Sequence, residues 1–347
     1  MPEEPPAAAP APPWHSGEIA LQASLGVAET MARLGQRVIR PAMNEQHRRF
    51  FEQLPFAVLG GVDAAGLVWA SPCAGLPGFL QATSPTHLTV ARPGDAQDPL
   101  DGALGVGEAA ALLGIEPATR RRNRLNGTIA SADAQGFAIA VAESFGNCPQ
   151  YIQRRTPAFT RAPQQPSPWP AQELAGFDPH ARAMVEQADS FFVASFAHTP
   201  WGRRADVSHR GGRPGFVRLA DDGTLSVPDF AGNRFFNTLG NILQTGRAGL
   251  VFIDWSNGDL LHISGDARVV LDAPEMAGFA GAERMWQVAP RRMVRRRAGL
   301  ALRWQGEEGG PSASLAATGT WAEAQALDAT RPLAPPPAPP PPPGPAG

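Results

Sequence analysis

The stretch SPCAGLPGFL at 71–80 returns as SHRGGRPGFV at 208–217, and that spacing constrains the fold of this chain more than any other feature. At the same offset of 137 residues HLTV (87–90) meets TLSV (224–227). After one inserted residue LLGIEP (112–117) meets LVFIDW (250–255), and LNGTI (125–129) meets ISGDA (263–267). Matches kept in order at a nearly constant spacing predict two diverged copies of one domain. A length of 347 residues also favours two domains over one.

Each copy is written in short apolar or alternating runs punctuated by Gly, Pro, Asn and Asp, which is the pattern of strands and turns. FAVLGGV (56–62), GFVRL (215–219), GLVFID (249–254) and DLLHISGDARVVL (259–271) are the clearest. In the last, Leu261, Ile263, Ala267, Val269 and Leu271 predict one buried face, with a kink or bulge at Ser264-Gly265. Helical spacing is confined to 25–39, 44–54 and 233–245. The expected fold is mainly β with peripheral helices, as tandem antiparallel barrels. Residues 14–155 form the first repeat with leading helices, a proline-rich linker follows over 156–180, and the second repeat spans 181–305. Residues 1–13 and the Gly/Ala/Pro-rich tail over 306–347 are expected to be disordered.

Composition removes several chemistries. The formal charge of −2 gives no global attraction to nucleic acid or to an anionic membrane, and no apolar run is long enough to span a bilayer. The acidic, proline-rich start does not resemble a secretory signal, and Cys73 and Cys148 are the only cysteines, so a cytoplasmic protein is expected. There is no lysine: all 30 basic residues counted as Lys+Arg are arginine. A lysine Schiff base and a Walker-type phosphate loop are therefore excluded, and a bound phosphate must be held by arginine, backbone N–H groups or hydroxyls. The seven histidines show no paired metal-ligand spacing, so no metal is expected. GVGEAA (105–110) follows no strand and is no dinucleotide fingerprint. Cys148 in FGNCPQY reads as a packed or turn cysteine.

The remaining chemistry lies in PDFAGNRFFNTLGNIL (228–243). A glycine before Asn233-Arg234 allows a sharp turn, and a helix starting there aims free N–H groups at whatever lies in front. Arg234 adds a charge-assisted contact, and Arg218 on the preceding strand is a second cation. The alternative is an ordinary cap made by Asn233, with Arg234 in solvent. Arg120, Arg121, Arg122 and Arg124 before Asn126-Gly127 read first as solvated or paired, and Arg291–Arg297 as a surface run.

Residues 204–253, followed by HISGDARV (262–269), resemble the FMN-binding split-barrel family, also called the pyridoxamine 5′-phosphate oxidase-like family. The resemblance implies a non-covalently bound FMN whose phosphate is held by Arg218, Asn233 and Arg234, with Asp229 near the ring or ribityl chain. It also brings Arg120, Arg121, Arg122 and Arg124 forward as second-rank ligand contacts. PWHSGE (13–18), QHRRFFEQLPF (46–56), RRRNRLNG (120–127) and FGNCPQYIQRR (145–155) are similar to a flavin-nucleotide-binding subgroup in which a reductase module with FAD and a [2Fe–2S] cluster can follow; that module is not expected here. GDAQDPLDG (94–102) puts acids where the second copy has Asn and Arg, so the intact phosphate site is expected in the second repeat. The implied function is flavin redox chemistry on an unknown small molecule, or electron transfer with a partner reductase. A flavin carrier or sensor, and a degenerate barrel with a scaffold or haem-handling role, are the alternatives. Assembly as a homodimer or an internal pseudo-dimer follows from flavins that lie at subunit interfaces.

Overall fold

The computed structural model describes residues 13–329 except 272, 274, 277, 278 and 307–310. Most of the N-terminal stretch 1–13, and the proline run at the end of the expected tail, lie outside the described residues. Two antiparallel sheets dominate. The first is built from β1 (Phe56–Val62), β2 (Val68–Ala74), β3 (Leu80–Ser84), β4 (His87–Val90), β5 (Ala109–Glu116), β6 (Arg121–Asp133) and β7 (Gly136–Gly146), in the order β2-β1-β5-β6-β7-β4-β3. After β8 (Arg155–Phe159) and β9 (Gln172–Leu174) come β10 (Ser190–Thr199), β11 (Gly202–Gly211), β12 (Arg218–Leu219), β13 (Leu225–Phe230), β14 (Arg247–Ile253), β15 (Leu260–Val270) and β16 (Ala282–Arg296). Their order, β11-β10-β14-β15-β16-β13-β12, repeats that of the first sheet strand for strand.

The matched sequence stretches fall on matched strands. β2 and β11 are each followed by a glycine, Gly75 or Gly212, against which Phe79 or Phe216 packs so closely that no β-carbon would fit. Both long strands bulge at the matched glycines, between Asn126 and Gly127 and between Ser264 and Gly265, as the sequence predicts for the second.

Each split barrel encloses its own core. Phe51, Leu59, Trp69, Leu112 and Ile139 fill the first, and Phe191, Phe216, Leu250, Ile263 and Trp286 the second. A third apolar layer, in which Phe56, Val58 and Leu113 meet Phe192, Val207 and Val251, joins the barrels. It explains why all seven residues of β1 are buried and why Leu260, His262 and Ser264 are buried beside the expected inward face of β15. At the other end of that run Leu271 is exposed. Gly249 marks the closest approach: a β-carbon there would lie 2.1 Å from the Val68 carbonyl oxygen.

Three expectations need correction. The first expected helical run, 25–39, is α2 (Ala28–Val38), but before it, across Gly26 with φ +66°, stands a helix the sequence did not announce, α1 (Ser16–Ser24). α1 is started by His15, which caps it with its ring while Glu18 reaches back to the His15 N–H. The third helix, α3 (Glu45–Gln53), is capped by Asn44 inside its expected span. The linker is pinned: β8 pairs with β17 (Leu302–Gly306), β9 pairs with β16, and α4 (Pro179–Glu186) leads into the second barrel. Within the tail, α6 (Ala313–Ala316) and α7 (Trp321–Ala329) fold back, because Trp321 buries its ring and donates from Nε1 to the Phe216 carbonyl.

Candidate functional site

The second barrel's one substantial helix among the described residues, α5 (Asn237–Thr245), begins four residues later than the sequence predicts. Arg234 and Phe236 both take left-handed backbone conformations, φ +60° and +61°, so the chain after Asn233 turns twice before the helix starts. Phe236 occupies the N-cap position, and no side chain caps the helix. Its first-turn N–H groups and positive dipole end are left for another acceptor. Asn233 is no helix cap; its Oδ1 accepts from the Phe235 N–H within the turn.

This end of α5 opens on a cavity of about 100 Å³ lined from both barrels. Arg122 and Arg124 come from β6 of the first barrel, Ser208 and Arg210 from β11, Asp229 from β13, Arg284 from β16, and Asn233, Arg234, Asn237 and Thr238 from the turn and helix. Cys148 and Tyr151 also line it. Five arginines thus face two lining carboxylates, Asp229 and Glu283.

The carboxylates are committed to orienting arginines. Asp229 is buried and accepts from Arg210 Nη1 at 2.5 Å through Oδ1 and from Arg284 Nη1 at 2.7 Å through Oδ2, while Glu283 accepts from Arg284 Nη2 at 2.8 Å. Arg284 also lies over the Phe236 ring, 4.7 Å from its centroid. Arg124 is fixed by Asp206, Asn237 and Ser208. Among the described residues Arg122 donates to carbonyls and His209: Nε to Cys148 O at 2.8 Å and Nη1 to His209 O at 3.3 Å. Burial, and then Arg124 and Arg210, push the Arg122 pKa down, but a guanidinium keeps its charge near neutral pH, so the crowding of cations is real. Burial, followed by Arg122, Arg155 and Arg210, holds His209 well below its ordinary value and therefore neutral.

Several polar atoms at this cavity lack a protein partner. Thr238 Oγ1, Arg210 Nε and Arg124 Nε are buried without a hydrogen bond, and exposed Arg234 has no ionic partner among the described residues. Buried polar groups are almost always paired, so these atoms mark a place for an acceptor. Tyr151, at φ +62°, joins Arg234 and Phe236 in the left-handed region, a conformation costing about 1–3 kcal/mol per non-glycine residue. Three such residues on one cavity wall show backbone held out of its preferred state around this space.

The structure brings Asn233, Arg234 and Asp229 together, with Arg122 and Arg124 from the second rank. It does not bring Arg218, whose guanidinium lies 4.0 Å over Trp321 and 3.8 Å from Glu275. Arg121 faces the other side of β6 over Phe50, and Arg120 donates to the Ile152 carbonyl. The residues missed are Arg210, Arg284, Ser208, Asn237 and Thr238. Arg210 stands in the repeated stretch SHRGGRPGFV and Thr238 in the helix already singled out, so both were within reach. Arg284 carried no local signal.

A buried polar cluster adjoins the cavity through Asn237. Glu18 of α1 is buried and accepts from Asn237 Nδ2 at 2.5 Å, and its oxygen lies 3.4 Å from His15 Nε2. Burial raises the Glu18 carboxyl to about 7, opposed by Arg204, whereas burial and Arg204 lower His15 to about 4.

No protein-family model and no curated protein sequence matches the chain. Among solved structures it is similar to HupZ of Group A Streptococcus, at 14% identity over 36% of this chain and 98% of that one, with a TM-score of 0.28. It is also similar to a pyridoxamine 5′-phosphate oxidase-related, FMN-binding protein of Nostoc punctiforme, at 13% identity over 39% of this chain and 100% of that one, with a TM-score of 0.26. The FAD-binding protein of Mycobacterium smegmatis shares 12% identity over 36% of this chain and 98% of its own, with a TM-score of 0.24. Likenesses of this strength assign no function to the chain.

Proposed function

We propose that the chain is a flavin-nucleotide-binding protein, with FMN the ligand, and that its second barrel holds the cofactor phosphate at the start of α5. The carrying observation is the cationic cavity itself, where Arg122, Arg210 and Arg234, the free Thr238 hydroxyl and an uncapped helix end converge. The space of about 100 Å³ suits a phosphate group, and the larger ring system extends past it beside Tyr151 and Cys148, since whole-ligand pockets run to roughly 300–1,000 Å³.

A bound flavin supplies hydride and electron transfer at its ring. The chain's own residues anchor and orient. Asp229 aims Arg210 and Arg284 at the ligand, Arg124 ties β6 to β11, and Thr238 Oγ1 donates to a phosphate oxygen. Because both barrels of one chain line the cavity, the site is complete as an internal pseudo-dimer. The partner is a small-molecule substrate or an electron-donor reductase.

The test is the visible spectrum of the purified protein after incubation with FMN and desalting. Retained bands in the flavin region, lost in Arg210→Ala and kept in Arg218→Ala, are the expected result. A colourless protein that takes up no FMN sinks the reading. Reduction of the bound flavin by NADPH alone separates an enzyme from a carrier that needs a partner.

A further inference from the structure

The matching strand orders imply a second cavity in the first barrel at the place corresponding to the first, and one of about 240 Å³ lies there. Its chemistry is different. Ser71 corresponds to Ser208 on the matched strand, but Cys73 stands where Arg210 does, and Arg92 where Asp229 does. His262, the counterpart of Arg124, crosses between barrels in the opposite direction and bonds through Nδ1 to the Ala70 carbonyl.

A carboxylate sits at the centre of this arrangement. Asp98 is buried; its Oδ2 accepts from Ser71 Oγ at 2.5 Å, Arg92 Nη2 at 2.9 Å and Arg296 Nη1 at 3.1 Å, and its Oδ1 accepts from the Leu100 N–H at 3.0 Å. Arg92 is completed by Asp101 and Arg296 by Asp95. Arg161, the other arginine lining the cavity, donates to the carbonyls of Gln165, Leu300 and Gly299. No cation here resembles Arg234, which has no ionic partner among the described residues.

We propose that Asp98 is a built-in anion, occupying in the first barrel the role that a bound phosphate takes in the second, so that each chain binds one anionic ligand and not two. The clause on the second barrel rests on the functional reading above; the clause on Asp98 does not. Burial opposes charge on Asp98, but Arg296 and Arg92 outweigh it and hold the carboxyl far below its usual range, in keeping with a permanent anion.

The experiment removes the carboxylate in an Arg210→Ala background, where the second-barrel site is weakened equally in both proteins compared. Asp98→Ala should lower the Tm in chloride buffer, and inorganic phosphate should restore at least half of the loss with a saturable dose response. The Arg210→Ala parent should show only the small, unsaturating rise common to phosphate salts. An identical phosphate response in parent and double variant overturns the assignment. If the double variant does not fold in chloride, its refolding yield in phosphate against chloride makes the same comparison. Separately, FMN titration of the unmodified protein should saturate at one per chain; two per chain overturns the proposal. If FMN does not bind, the flavin reading fails while the phosphate comparison still decides the role of Asp98.

Discussion

Arg124 crosses from the first barrel to the second and donates from Nη1 to Asp206 Oδ1 over 2.9 Å, with both side chains buried. The pair fastens β6 to β11 beside the candidate ligand cavity. Removing either partner leaves a buried charge uncompensated, so Arg124→Ala and Asp206→Ala should each cost about 3–5 kcal/mol. The double variant should cost clearly less than the sum, because the second change removes the charge the first one stranded. Urea unfolding of the four proteins measures this coupling.

Within the cavity, Arg210→Ala removes a charge-assisted contact and should weaken FMN binding about 10- to 100-fold. Thr238→Val, which removes one neutral donor, should weaken it by less, about 2- to 10-fold. Arg218→Ala should leave affinity unchanged, since Arg218 is held by Trp321 and Glu275 outside the cavity. Flavin fluorescence titration separates the three.

Glu18 sets a pH dependence of stability. Its folded carboxyl is raised to about 7 from a reference of 4.5, so between these values the folded state binds more protons than the unfolded one. Its contribution is therefore greatest below about pH 4.5 and declines as pH rises toward 7, by at most about 1.4 kcal/mol per unit. The stability difference between the unmodified protein and Glu18→Gln should follow that slope across the window in denaturant titrations. A flat difference contradicts it.

Trp321 tests the folded part of the tail. It is buried, bonds to the Phe216 carbonyl and packs edge-on against Phe279. Trp321→Ala should cost about 3–5 kcal/mol by calorimetry or urea unfolding, where an extended tail would cost nothing.

Gly249→Ala would drive a methyl group to 2.1 Å from the Val68 carbonyl oxygen, a backbone atom held in β2. A loss of about 1–3 kcal/mol is expected. Gly176→Ala, with open space around it, should be neutral by comparison.

The sequence by itself determined the mainly β character, the two barrel-sized halves, the bulge at Gly265 and the turn at Asn233-Arg234. These are local or repeated signals: period-2 alternation, glycine where backbones approach, and a pattern returning at a fixed offset. It also showed that any phosphate here must be met by arginine, because no lysine exists. Which arginines meet one was decided by the tertiary structure. Arg121 and Arg122 are adjacent, yet strand alternation turns one toward Phe50 and the other into the cavity. Arg218 and Arg210 are both in the second barrel, but only Arg210 is met by Asp229. Arg284 and Asp229 are 55 residues apart and meet only because β13 pairs with β16. Side-chain direction and long-range strand pairing are set by the packing of one barrel on the other, and no window of neighbouring residues contains that information.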